Sequence, residues 1–175
     1  MKSWFRWIVL TLALAAVFHL LTVTLFPRVI MALAIQRIQN RSGSEINTLV
    51  HAPRVTVDSR HVVKPSPDLL YSICVFDVSA KPLRITAPVP DTYWSISFYQ
   101  TNTDNFYVLN DRQAKSNRVD ILLVGPGMGV PHAENTLVVV APTNKGVFLL
   151  RSLIEDEDKL GDLIKIQELA TSRPL

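Results

Sequence analysis

The hydrophobic pattern of the chain changes twice, and each change marks a different kind of structure. From Trp7 to Phe26 run twenty residues without a formal charge, sixteen of them apolar; the exceptions are Thr11, His19, Thr22 and Thr24. A helix of about 20 residues at about 1.5 Å per residue matches the hydrocarbon thickness of a bilayer, about 30 Å. The pattern therefore predicts a transmembrane helix. Threonine hydroxyls return to the preceding helical turn and cost less there than charges would. Trp4, Phe5 and Trp7 sit where an interfacial aromatic belt would lie.

A cleaved signal peptide is the competing reading, because Ala13-Leu14-Ala15 and Ala32-Leu33-Ala34 both resemble cleavage sites. The first leaves an apolar core shorter than usual, and the second lies past the natural end of the span. An uncleaved signal-anchor fits better. Beyond Pro27 the apolar residues Val29, Ile30, Met31, Leu33, Ile35 and Ile38 continue on most sides of a helix, until residues 40–44 (Asn-Arg-Ser-Gly-Ser) break it. The expected organisation is an anchor over 1–27, a juxtamembrane helix and linker over 28–50, and one folded domain over 51–175.

After residue 50 the pattern becomes short apolar runs at roughly ten-residue spacing, separated by Pro, Gly, Asn and Asp. Strands are predicted at 54–57, 69–78, 83–87, 93–100, 106–110, 119–124, 137–140 and 146–153. The eleven prolines fall largely between these runs, as edges and turns of a β fold require. Alternation is clearest at 93–100: Trp94, Ile96 and Phe98 form a core face, whereas Tyr93, Ser95, Ser97 and Tyr99 form a mixed face. Val119, Ile121 and Leu123 alternate with Arg118 and Asp120 in the same way. Near the C-terminus, Leu160, Leu163, Ile164 and Gln167 follow helical spacing, predicting a helix over about 156–170 with acidic residues 155–158 at its positive end. The fold class expected from the pattern is mainly β: an antiparallel sandwich or barrel with one N-terminal transmembrane helix and a short C-terminal helix.

Charge locates the basicity. The whole chain has a formal net charge of +3. Residues 1–45 hold five Lys/Arg against one Glu, or +4, which leaves 13 cations against 14 anions, or −1, for residues 46–175. The domain is near neutral, which argues against a nucleic-acid-binding surface. No metal or cofactor site is expected. The four histidines (His19, His51, His61, His132) are scattered, and the lone Cys74 lies in an apolar strand as a small hydrophobe. Gly125-Pro126-Gly127 lacks the Lys-Ser/Thr of a phosphate loop and reads as a turn. No recognisable catalytic constellation emerges.

The densest polar chemistry lies at 99–112. Asn102 to Asn105 are natural turn residues, because their side chains bond the nearby backbone. The alternative is a pocket at the sheet end, where Tyr93, Tyr99, Asn102, Asp104, Asn105, Tyr107 and Arg112 converge on a small ligand or partner chain. Asp104 and Asp111 are a conceivable carboxylate pair.

Leu69-Leu70-Tyr71-Ser72, Phe76-Asp77-Val78-Ser79 with Pro82, Tyr93-Trp94-Ser95 and Asn102-Thr103-Asp104-Asn105-Phe106 occur in an order that resembles a bacterial family. Asn110-Asp111-Arg112, Val124-Gly125-Pro126-Gly127, Ala141-Pro142-Thr143, Leu150-Arg151 and Ile166-Gln167 extend the match. The family is domain of unknown function 1254. The resemblance implies an antiparallel β-sandwich, jelly-roll-like, in a short, membrane-anchored form, with the domain on the periplasmic side of a bacterial inner membrane. A companion, domain of unknown function 1214, would be supplied by a separate protein. It implies no catalytic residues. The function expected is a binding or assembly module; the alternative is an enzyme or enzyme subunit acting on a small or lipid-derived substrate through the cluster at 93–112.

Overall fold

The computed structural model describes residues 3–56, 65–129 and 136–175. Its first element is one helix, α1 (Ser3–Ser42), which runs through Pro27. Proline removes a backbone donor there, a loss that apolar helices of membrane type tolerate. Thr22 donates to the Phe18 carbonyl at 2.8 Å and Thr24 to that of Leu20, so their hydroxyls are satisfied within the helix. The helix continues past Ile38 and stops before Gly43, later than the first breaker residue suggested. Gly43 adopts φ 58° and donates its N–H to the Gln39 carbonyl at 3.0 Å, a left-handed closure suited to a residue without Cβ.

Among the described residues, the domain holds nine strands in two sheets. One sheet has the order β1 (Val50–His51), β2 (Leu69–Asp77), β8 (Lys145–Leu153), β4 (Trp94–Gln100), β5 (Asn105–Asn110), all neighbours antiparallel. The other has the order β7 (Leu137–Val140), β6 (Arg118–Val124), β3 (Leu83–Pro88), β9 (Thr171–Pro174). A single core lies between them. Trp94, Phe76, Phe98 and Phe148 from the five-stranded sheet and Leu83, Ile85, Ile121 and Leu123 from the four-stranded sheet are almost wholly buried. Phe98 is its aromatic centre, with ring centroids 5.5 Å from Phe148 and 6.0 Å from both Phe106 and Tyr107.

Three elements differ from the sequence expectation. The expected strand at 54–57 is absent over Arg54 to Thr56, while Val57 lies outside the described residues, as do His61, Lys64 and His132. Pairing occurs earlier, at Val50–His51. The Ala52 N–H still reaches the Tyr71 carbonyl at 2.9 Å, but Pro53 has no donor to extend the ladder. Second, β7 pairs parallel to β6, so the four-stranded sheet is mixed and not wholly antiparallel. The twelve residues from Gly125 to Thr136 are long enough for the crossover that parallel pairing needs. Third, Thr171–Pro174 forms an unpredicted strand on the edge of β3.

The C-terminal helix is α2 (Leu160–Glu168), preceded by a 3-10 turn at Glu157–Lys159. Asp156 caps that turn through the Asp158 N–H at 3.0 Å, and Glu157 pairs with Arg54, so the acidic run works as cap and surface. On the buried side of α2, Gln167 donates to the Tyr71 carbonyl and to Ser72 Oγ, both at 2.9 Å.

The far end of α1 meets the domain. Residues 3–26 are exposed throughout, whereas Met31, Ile35 and Ile38 pack on Ile73, Val75, Val147 and Tyr99 of the outer face of the five-stranded sheet. Asn47 then locks the chain to β2: its Nδ2 donates to the Asp77 carbonyl at 2.9 Å and its Oδ1 accepts from the Asp77 N–H at 2.8 Å.

Candidate functional site

The residues singled out at 93–112 do not form one pocket. Strand β4 separates them: the six steps between its seven residues, at about 3.3 Å each, place its ends about 20 Å apart. At one end is the β4–β5 hairpin. There the Gln100 N–H donates to the Asp104 carbonyl at 3.0 Å, Asn102 Nδ2 donates to Asp104 Oδ2 at 2.6 Å, and Asn102 Oδ1 accepts from the Asp104 N–H at 3.2 Å. Thr103 sits at φ 72°, which strains a β-branched residue. Asn102 and Asp104 thus serve the turn. Asn105 opens β5 beside Tyr99, at a register shift in the β4–β5 ladder.

Tyr99 lies on the outer sheet face with the end of α1, and Tyr107 lies on the inner side of β5 against Phe98. Burial raises the Tyr107 phenol above its ordinary range. The Tyr93 hydroxyl donates to Ser95 Oγ at 3.2 Å. Ser95 and Ser97 are buried, so the mixed face of β4 is covered over much of its length. Arg151 contributes to that cover, donating to Ser97 Oγ at 3.2 Å.

Tyr93 and Arg112 stand at the opposite end of β4 from the hairpin, in an open cleft of about 850 Å³. Asp91, Asp111 and Glu155 supply three carboxylates to this cleft against the one guanidinium of Arg112. Its walls are tied together by the Asp111 N–H to the Trp94 carbonyl at 3.0 Å, the Val89 N–H to the Asn117 carbonyl at 2.8 Å and Thr92 Oγ1 to the Leu153 carbonyl at 3.0 Å. Asp104 and Asp111 fall at opposite ends of β5 and cannot share a proton-transfer task. Among the described residues, no group of three or more His, Cys, Asp or Glu side chains is placed to hold a metal.

A second groove, of about 650 Å³, has no counterpart among the sequence expectations. It lies on the outer face of the four-stranded sheet and is lined by Arg84, Thr86, Arg118, Asp120, Thr171 and Arg173. The outward alternation of Arg118 and Asp120 is its one trace in the sequence. The register that places Arg84 beside Arg173 depends on β9, which carries no hydrophobic signal.

Cys74 and His51 serve the structure. Burial pushes the Cys74 thiol up to about 12, so it is protonated and inert at neutral pH. His51 Nδ1 lies 2.9 Å from Ser72 Oγ, and burial lowers its pKa despite the opposing charge of Glu168. Below the ordinary imidazole value of 6.5 the unfolded chain takes up a proton that the folded chain resists. The contribution is therefore full above that pH and is lost as pH falls through the lower folded value. Denaturant titrations at pH 7 and pH 5 should show a smaller loss of stability for His51→Gln than for the wild type. Equal losses would contradict this environment for His51.

A family model described as a protein of unknown function, DUF1254, matches residues 46–174. Among solved structures, the chain is similar to the VPA0106 protein from Vibrio parahaemolyticus, with a TM-score of 0.70 and 12% identity over 87% of this chain and 36% of that one. It is also similar to an uncharacterised protein from Burkholderia cenocepacia, with a TM-score of 0.52 and 14% identity over 77% of this chain and 36% of that one. At these identities the likeness is one of fold. The chain spans about a third of the length of both solved proteins. No curated protein matches the sequence significantly.

Proposed function

The chain belongs to the DUF1254 family, and from that premise we propose that it is a single-pass envelope protein whose β-sandwich is a membrane-tethered binding or assembly module. The observation that carries this reading is α1. It has a mean hydropathy of 2.4 over its most apolar window, its first turns are fully exposed, and its last turns pack on the domain. A helix that merely delivered the chain for export would have no reason to bury Met31 against Val75 and Val147. In this reading the helix is an uncleaved anchor in a bacterial inner membrane, with the domain on the periplasmic side.

The partner proposed is a separate protein carrying the companion domain of unknown function 1214. Support comes from length, since the chain corresponds to 36% of each of two solved proteins of like fold. The enzyme reading loses its geometric basis, because the hairpin residues and Arg112 lie at opposite sheet ends. Co-expression of the full chain with such a companion, followed by purification in detergent, tests the assembly role. A stoichiometric complex is expected. Recovery of the chain alone, at the mass of a single copy, would overturn it.

A further inference from the structure

The outer face of the four-stranded sheet carries a charge arrangement that the fold alone does not explain. Arg84 on β3 and Arg173 on β9 are direct cross-strand partners. Opposed side chains on one face have Cβ atoms about 5 Å apart, and like charges so placed destabilise the pair. The next outward rung holds Asp120, Thr86 and Thr171, and the one beyond it Arg118 and Pro88. Asp120 accepts from Arg84 Nε at 2.9 Å and holds that guanidinium in a bidentate pair. The Thr86 and Thr171 hydroxyls lie 2.9 Å apart across the strands. Arg118 and Arg173 have no side-chain hydrogen bond or ion pair among the described residues. Three guanidinium groups against one carboxylate leave the groove at +2, within residues 46–175 whose net charge is −1.

We propose that this groove binds a phosphate group, which Arg118 and Arg173 grip from either end of the threonine rung while Asp120 keeps Arg84 in place beside it. A phosphate monoester carries a charge of about −1.5 to −2 at pH 7 and a diester headgroup about −1, so the groove's excess of positive charge suits either. The planar donor forks of arginine suit its oxygens better than point charges would, and the two hydroxyls supply further donors. The bound anion also removes the Arg84–Arg173 repulsion. α1 packs on the other sheet, so the groove faces away from the tether. It is independent of the proposed companion protein. The phosphate belongs either to a soluble ester or to a lipid headgroup.

The full chain in nanodiscs of phosphatidylcholine, in chloride buffer at fixed ionic strength, separates these cases with pyrophosphate as the probe. Calorimetric titration should show saturable binding, weakened at least about tenfold in Arg173→Ala and in Arg118→Ala, as loss of a charge-assisted contact implies. Arg173→Lys should retain part of the affinity. Without pyrophosphate, Arg173→Ala should melt at or above the wild-type temperature, because a repulsion has gone; with it, only the wild type should gain stability. If the native phosphate is a headgroup, discs containing phosphatidylglycerol should abolish the Arg173-dependent part of probe binding; a soluble ligand predicts that it persists. No binding in phosphatidylcholine discs, or equal affinity in the wild type and Arg173→Ala, would overturn the proposal.

Discussion

Gly146→Val should leave the protein unfolded, and Gly146→Ala should cost about 3 kcal/mol, the upper part of the range for overpacked cores. Gly146 lies on the central strand β8, flanked by Phe76 on β2 and Gln100 on β4. A Cβ there would press into the Tyr99 carbonyl and come within 2.5 Å of the Phe76 ring. The carbonyl belongs to the paired backbone of β4, and Phe76 is wholly buried, so neither yields cheaply. Glycine is required here by the close approach of a neighbouring strand. Native stabilities of about 5–15 kcal/mol leave little margin for the valine variant. Thermal melts of the full chain in detergent are the check. Phe76→Leu should rescue the alanine variant only in part, because it frees the ring contact and not the carbonyl. A Gly146→Ala melting temperature equal to wild type would refute the packing described for the sheet centre.

The second large effect concerns the span. Replacing Leu14 and Val17 together by arginine should prevent stable insertion of α1. Each arginine at a helix centre costs about 2.5–3.5 kcal/mol on insertion scales, and each lost apolar residue adds about 0.5 kcal/mol. The pair therefore opposes insertion by about 6–8 kcal/mol, and the two residues lie three apart on one helical face. Both residues lie in the exposed stretch 3–26, away from the part of α1 that packs on the domain. The variant should therefore leave the membrane fraction while keeping a cooperative melt. Retention in the membrane at wild-type levels would mean that something other than the span holds the protein there.

Much of this architecture is legible in the sequence because it follows from periodicity. Twenty uncharged residues announce a long apolar helix, and the alternation of Trp94, Ile96 and Phe98 announces a buried face, which these residues occupy at 0–1% exposure. What depends on pairing is not legible. Thr171–Pro174 contains no large apolar residue, and only the free edge of β3 makes it a strand. Val50–His51 is two residues long and ends where Pro53 lacks a donor. Parallel pairing of β6 and β7 leaves no local mark at all.

The candidate site fails to converge for the same reason. Closeness in sequence at 93–112 suggests closeness in space, but a hairpin sends its tip and its base to opposite ends of the sheet. Conversely, Arg84, Arg118 and Arg173 are far apart in sequence and meet only through the β6–β3–β9 register. For Asn102 and Asp104 the plain reading as turn residues holds, since their hydrogen bonds are those of a turn.

Alkaline carbonate extraction of membranes from cells making the full chain tests the central claim, that α1 is a retained anchor joined to the β domain. An immunoblot against the C-terminus should find the intact 19.6 kDa chain in the membrane pellet, released only by detergent. A shorter, soluble species in the supernatant would show that the helix is removed, and would contradict the account of a tethered module.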